Sequence, residues 1–171
     1  VTSSTVSKIA NDLLSFIDDK QLSASEKKSI SILKKWDGSY TKNSIGATIY
    51  NRFLYEFLRA TYKDELGVSF NLFINSQLQD KVLPNQVSRE NSVWWDDITT
   101  NEKIESKSDI INKSFKNTFQ FLTAQLGENV EDWHWNRVIS LEHEHAIGKA
   151  GGVFRKFFNV GPFETVGGNE V

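Results

Sequence analysis

His143 and His145, with His134 a little upstream, are the densest group of metal-capable side chains in the chain. On an extended strand, residues two apart face the same side, so these imidazoles have the makings of a zinc site with His134 as third ligand. The same strand face carries Ile139 and Leu141, and a half-buried histidine satisfied by polar neighbours is the commoner reason for that pattern. Glu142 and Glu144 share the opposite face with the spacing of paired carboxylates for acid–base work. Two charged residues on the wet face of a strand are the ordinary explanation. Trp94-Trp95 beside Asp96-Asp97 has the composition of a sugar-stacking platform, but aromatics packed against a core at a helix end are the expectation. Gly148-Lys149-Ala150-Gly151-Gly152 lacks the Gly-Lys-Ser/Thr order of a phosphate loop, and no Ser sits in a Gly-x-Ser-x-Gly elbow. An N-terminal nucleophile needs a hydroxyl or thiol on residue one. Val1 has neither, and Thr2, Ser3 and Ser4, polar residues before a helix, read as a cap and frayed end. No catalytic, cofactor-binding or metal-ligating residue is assigned, and no cofactor is expected.

The elements that would position these residues are mostly helices. Val6, Ile9, Leu13, Leu14 and Ile17 recur at helical spacing. Ser23 and Glu26 have the spacing of a capping box, with Ile30, Leu33 and Trp36 following before Asp37-Gly38 ends the segment. Ser44 opens the longest stripe: Ile45, Ile49, Phe53, Phe57 and Ala60, stopped at Gly67. Phe70–Leu78 is expected to be a shorter helix, broken by Pro84 from Ser88–Asp97. Asn101–Lys107 is polar and loop-like. Ser108 then leads a stripe of Ile111, Phe115, Phe119, Leu122 and Leu126, stopped at Gly127. Near Trp133 the pattern changes to alternation over Arg137–His145, then to turns around Gly161-Pro162 and Gly167-Gly168 and a second extended segment near Phe163–Val166. The fold expected is mainly α with a short β region at the C-terminal end, divided into a helical domain (1–132) and a strand-and-turn segment (133–171). Once cut from a larger sheet, such strands expose unpaired edges, so Arg137–Val171 is expected to be poorly packed, paired between molecules, or covered by helices.

Composition narrows the partners. Twenty Lys+Arg against 22 Asp+Glu leave a formal charge of −2 with no basic cluster, which argues against nucleic acid. Lys27/Lys28 and Lys34/Lys35 read as a solvated helix face. No run of eighteen apolar residues is present, so no membrane span is expected. The absence of Cys excludes disulfides, thiolate metal sites and Cys nucleophiles. The absence of Met leads to the expectation that Val1 is not the start of a gene product and that the chain is processed or trimmed. Its finish at Asn169-Glu170-Val171 looks like a cut.

Trp133-His134-Trp135-Asn136-Arg137-Val138, His145-Ala146-Ile147-Gly148, Phe158-Asn159-Val160-Gly161-Pro162-Phe163 and Val166-Gly167-Gly168-Asn169 occur in an order that resembles the penicillin acylase family. Leu33-Lys34-Lys35-Trp36-Asp37-Gly38 is similar to that family's Leu-x-x-Trp-Asp-Gly helix end, and Ser44–Tyr55 to the helix after it. Ala146 stands where Pro is usual there, and Asn169 where Asp is common. The resemblance implies an N-terminal-nucleophile hydrolase made as one precursor, whose second subunit begins with a catalytic Ser. That Ser, the oxyanion Asn and the family's calcium ligands map to no position here. It implies that this chain is a fragment of the second subunit: a helical insert plus the first strands of the αββα core. The partners implied are the remainder of the precursor and, for the parent enzyme, a small N-acylated substrate such as a penicillin, related β-lactam or acyl-homoserine lactone. The compartment implied is periplasmic or secreted. Trp133, Trp135, Arg137, His145, Gly161, Pro162, Gly167 and Gly168 read as structural, and Phe157, Phe158 and Phe163 as structural before any acyl-pocket role. The alternative is a non-enzymatic helical binding or scaffold module.

Overall fold

In a computed structural model, the structure describes residues 4–138 apart from Gln21 and Gln77. Six α-helices run through them: α1 (Ser4–Leu14), α2 (Ala24–Lys35), α3 (Ile45–Leu66), α4 (Phe70–Ile74), α5 (Leu78–Ser88) and α6 (Lys107–Leu126). Single 3₁₀ turns at Gly67–Ser69, Val93–Trp95 and Val130–Asp132 join or follow them. The described residues contain no strand.

The helix boundaries follow local chemistry. Ser23 Oγ accepts from the Glu26 N–H while the Glu26 carboxylate accepts from the Ser23 N–H, closing the expected capping box of α2. Lys34 and Lys35 in its last turn complement the C-terminal end of the helix dipole. Ser44 caps α3 through the Ala47 N–H, and Gly67 ends it at φ +50°, a backbone region that L side chains avoid. Ser106 and Asp109 form a second box that starts α6 one residue before the expected Ser108. Gly127, at φ +98°, ends α6.

Helix α3 is the axis. Thirteen of its 22 residues are buried, so it has no fully wet face and the other helices wrap it. It packs most extensively on α6, where Phe53 and Phe115 meet edge to face at 5.9 Å, and next on α2. Helix α1 lays Ile9, Ala10, Leu13 and Leu14 into the same core. Asn112 of α6 holds the chain after α1, accepting from the Asp18 N–H and donating to the Phe16 carbonyl.

Two expectations need correction. Pro84 does not break the chain: it lies inside α5, which runs on to Ser88. A mid-helix proline costs about 3 kcal/mol through its missing N–H and its ring. Here Leu83 and Val87 on the same helix are buried, and Pro84 itself faces solvent, where water can serve the carbonyl it leaves without a donor. The alternation read from Arg137 as a strand begins instead as a helical turn over residues 135–138. There the Arg137 N–H donates to the His134 carbonyl at 3.1 Å, and the periodicity gives way to burial of Trp135 and Val138 in the helical core. The rest of that segment, 139–171, with its expected β region, lies outside the described residues.

Gly46 shows how tight the α2–α3 contact is. A Cβ built there would lie 2.6 Å from Trp36 Cβ and 2.7 Å from its Cδ1. Gly46→Ala gains about 1 kcal/mol of helix propensity but must displace a buried indole, which costs roughly 1–3 kcal/mol. The expected outcome is a lower melting temperature, followed by circular dichroism; a rise would show that the α2–α3 contact is looser than this packing.

Candidate functional site

Three places gather the side chains able to do chemistry. The first lies inside α3. Arg52 and Glu56 are one helical turn apart and form an ion pair, with 8% and 2% of their side-chain surfaces exposed. Arg59 reaches the other Glu56 oxygen at 3.4 Å. The Arg52 guanidinium stacks 3.5 Å from the Phe121 ring centroid and 4.8 Å from that of Tyr55. Burial pulls its pKa down, and Glu56 opposes that pull.

The second is an open cleft of about 520 Å³ between α3, α6 and the turn around Asp97. Arg59, Lys63 and Lys113 alternate there with Glu56, Asp64 and Asp97. The three carboxylates are each engaged within the fold, Glu56 by Arg52 and Arg59. Lys113 pairs with Asp97 at 3.1 Å, Asp97 also accepts from Thr99, and Asp64 accepts from the Ile98 N–H at 2.8 Å. The cleft therefore fastens a turn to α3. Beside it, Glu65 Oε2 is buried without a hydrogen-bond partner. Burial first, and the adjoining Asp64 second, push the Glu65 carboxyl up to about 7.

The third is the meeting of two stretches far apart in sequence. Tyr40 bridges Trp36 and Trp135, with centroids 5.5 and 5.3 Å away, and Trp36 packs on Tyr50 at 5.1 Å. The Trp36 Nε1–H donates to the Ser39 carbonyl, and the Asn136 N–H to the Lys42 carbonyl. Trp133 is fully buried against Phe119, and its Nε1–H donates to the Gly127 carbonyl. Arg137 donates to the carbonyls of Leu126 and Asp132, supplying donors at the C-terminal end of α6.

Of the residues singled out in the sequence, Trp95 is buried against Phe57 and Trp94 packs on Tyr62, so this pair joins the core. Asp96 and Asp97 accept backbone N–H groups of Glu105 and Thr99. No cluster of three His, Cys, Asp or Glu suited to a metal occurs among the described residues. His134 is among them, whereas His143, His145, Glu142, Glu144, the Gly148–Gly152 stretch, Phe157, Phe158, Phe163, the motifs after Val138, and Val1, Thr2 and Ser3 lie outside. Three buried hydroxyls are committed to backbone, with Ser29 donating to Glu26, Ser114 to Ile110 and Thr118 to Ser114, whereas the buried Thr61 and Thr123 hydroxyls have no hydrogen-bond partner. The sequence reading missed Lys107, placing it in a polar loop. It is 6% exposed, its ammonium donates to the Val87 carbonyl at 2.7 Å, and it lies 4.0 Å from the Phe16 ring centroid.

The family model described as penicillin amidase matches residues 1–171. The acyl-homoserine lactone acylase QuiP of Pseudomonas putida is 31% identical over 112 residues, covering 62% of this chain and 14% of that protein. The proteins of the same name from Pseudomonas aeruginosa and Pseudomonas fluorescens strain Pf0-1 are 28% and 31% identical, over 68% and 69% of this chain. The chain thus spans about a seventh of the length of the curated relatives it matches. No solved structure matches.

Two outcomes test this geometry. Removing Arg52 alone leaves Glu56 buried with only the longer Arg59 contact, so Arg52→Met is expected to cost about 3–5 kcal/mol in urea unfolding. The double variant Arg52→Met/Glu56→Leu, which removes both charges, is expected to recover most of that loss. The second outcome concerns pH. Glu65 rises to about 7 from an ordinary 4.5, so its contribution to stability is whole below pH 4.5 and is lost as pH climbs through about 7. Asp109, held down to about 2 by Lys103 and Ser106, has the opposite sign: its contribution is whole above pH 3.8 and is lost as pH falls toward 2. Glu65→Gln is expected to flatten the decline in melting temperature from pH 4.5 to about 7 and leave the acid limb alone. Parallel curves for variant and parent across that window would rule it out.

Proposed function

The chain belongs to the penicillin amidase family, and from that premise we propose that it is a helical, nucleophile-free part of a larger amidohydrolase acting on N-acylated small molecules. Relatives named acyl-homoserine lactone acylases favour acyl-homoserine lactones over penicillins as the substrate class. The observation carrying this reading is the meeting of Trp36 and Trp135 across Tyr40. Of the residues that give the chain its family likeness, the described Trp36, Trp133, Trp135 and Arg137 are spent on holding helices together. A segment of this kind supports a catalytic centre built elsewhere in the precursor.

In that centre, the reading assigns the chemistry to an N-terminal Ser outside this chain. Its α-amine takes the hydroxyl proton as the oxygen attacks the amide carbonyl, and hydrogen-bond donors stabilise the oxyanion that forms. The C–N bond then breaks, the amine leaves with a proton, and water hydrolyses the acyl ester to regenerate the Ser. The same reading places the parent in the periplasm or outside the cell, where acylated signals and antibiotics are met.

The test uses the parent polypeptide beside this chain. N-terminal sequencing of the purified parent is expected to find a processed subunit beginning with Ser. Release of free homoserine lactone from an acyl-homoserine lactone is expected from the parent and not from the 171-residue chain alone. Amide hydrolysis by the isolated chain, abolished by substituting one of its own residues, would overturn the assignment and return the catalytic centre to this segment.

A further inference from the structure

Residues 96–105 form a loop closed on itself at its neck. The Glu105 N–H donates to Asp96, the Glu105 carboxylate accepts the Asp97 N–H at 3.0 Å, and the Thr100 hydroxyl donates to that carboxylate from within the loop. A loop that carries its own contacts can move as one piece when its outer ones are lost. Outward it is tied by the Ile98 N–H, which donates to Asp64 of α3 at 2.8 Å, by Asp97, which pairs with Lys113 of α6 at 3.1 Å, and by Lys103, which pairs with Asp109 at 2.6 Å. Through Asp97 and Thr99 it supplies one wall of the cleft on α3 and α6.

Glu65 sits beside this attachment. Its Oε2 is buried without a hydrogen-bond partner. The charged groups that bear on it are Asp64, next to it on α3, and Asp97 on the loop, both acidic. The cations of the region are engaged or turned elsewhere. Lys113 of α6 is held by Asp97, and Arg59 reaches Glu56. Lys63, two residues away on α3, does not share the face of Glu65. Arg89, just past α5, bears on Tyr62, whose phenol burial pushes up to about 12 and so keeps neutral. Lys103 and Glu105 of the loop are taken up by Asp109 and by the neck. A buried carboxyl with no donor and two acidic neighbours keeps its proton longer than an exposed one. Burial first, and Asp64 second, carry Glu65 to about 7.

We propose that the loop 96–105 is a proton-operated wall of the cleft, fastened to α3 while Glu65 is neutral and released when Glu65 ionises. With the proton in place, the Asp64 carboxylate is served by the Ile98 N–H and has a neutral neighbour. Once the proton leaves, the carboxylates of Asp64, Glu65 and Asp97 crowd one another where Glu65 Oε2 has no donor. Detachment carries Asp97 away from the other two and lets water reach Glu65. The contacts given up are the Ile98 N–H to Asp64 and the Asp97–Lys113 pair. Glu65 returns toward its ordinary 4.5 in the released state, so the fastened state keeps its full advantage below pH 4.5 and loses it as pH climbs through about 7.

Hydrogen exchange followed by mass spectrometry, on the full polypeptide that carries this segment, tests the device. Exchange is measured from pH 5.5 to 8.0 and divided by the intrinsic rate at each pH, which leaves protection alone. Protection of peptides covering 96–105 is expected to fall by up to about 30-fold across that range, the ratio allowed when a carboxyl moves from about 7 to 4.5 on release. Peptides of α6 are expected to keep theirs. Glu65→Gln, which retains the shape without the charge, is expected to hold the loop's protection level with pH. Asp64→Asn leaves an acceptor for the Ile98 N–H, removes one acidic neighbour and is expected to shrink the fall; it decides alone should the first variant not fold. No fall in the parent, an equal fall in parent and variants, or a fall shared by α6 would overturn the proposal.

Discussion

Burial of α3 on nearly every side is the constraint from which the rest of the structure follows. A helix with a dry stripe and a wet stripe can carry charge freely; one that is enclosed must supply each charge with a partner inside the core. Arg52 and Glu56 meet that condition within α3 itself, one turn apart, and the guanidinium faces left over are covered by Tyr55 and Phe121. Such a pair adds little net stability over apolar residues of the same volume. It does restrict which helix face can meet α6, because Phe121 must lie where Arg52 ends.

The second ordering element is aromatic. Trp36, Tyr40, Tyr50 and Trp135 form a chain of ring contacts from the end of α2, across α3, to the turn after α6. The contact works only because Gly46 leaves room for the Trp36 ring. Rings in tilted and edge-on contact bring more than buried area, since their quadrupoles favour those angles. Two stretches some hundred residues apart are thereby fixed against each other, and Asn136 adds a backbone bond to Lys42 across the same seam. Arg137 then donates to the Leu126 carbonyl where α6 ends and to the Asp132 carbonyl in the turn that follows.

Much of this was legible in the sequence where local chemistry decides. Ser23 with Glu26, Ser44, Gly67 and Gly127 mark helix ends because caps and positive-φ stops involve neighbours in sequence. Where tertiary burial competes with local preference, the pattern misleads. Pro84 reads as a breaker, yet Leu83 and Val87 hold α5 together around it. Arg137 and Val138 alternate as a strand would, yet burial of Trp135 and Val138 winds them into a helical turn. Lys107 carries no signal that distinguishes a buried cation from a solvated one, because its partners Val87 and Phe16 are distant in sequence; Arg52 and Glu56 are spaced as any surface i,i+4 pair, and the Phe121 ring that covers Arg52 is equally distant. The Trp94-Trp95 pair was legible as core packing because neighbouring tryptophans in a short turn have few other places to go.

Among the described residues, those that carry the family likeness have structural tasks. Trp36, Trp133, Trp135 and Arg137, on which part of the likeness rests, each have a mechanical task visible in the geometry: a ring contact, a buried indole donor, a carbonyl satisfied at a helix end. Such tasks tolerate little substitution, since a smaller ring leaves a cavity and a missing donor leaves a buried carbonyl unpaired. The chemistry of a hydrolase is set by a few atoms, but their placement depends on walls whose own residues are nearly as constrained. Among the described residues, that constraint is visible in the ring contacts that join Trp36, Tyr40 and Trp135 and in the Arg52–Glu56 pair enclosed in α3.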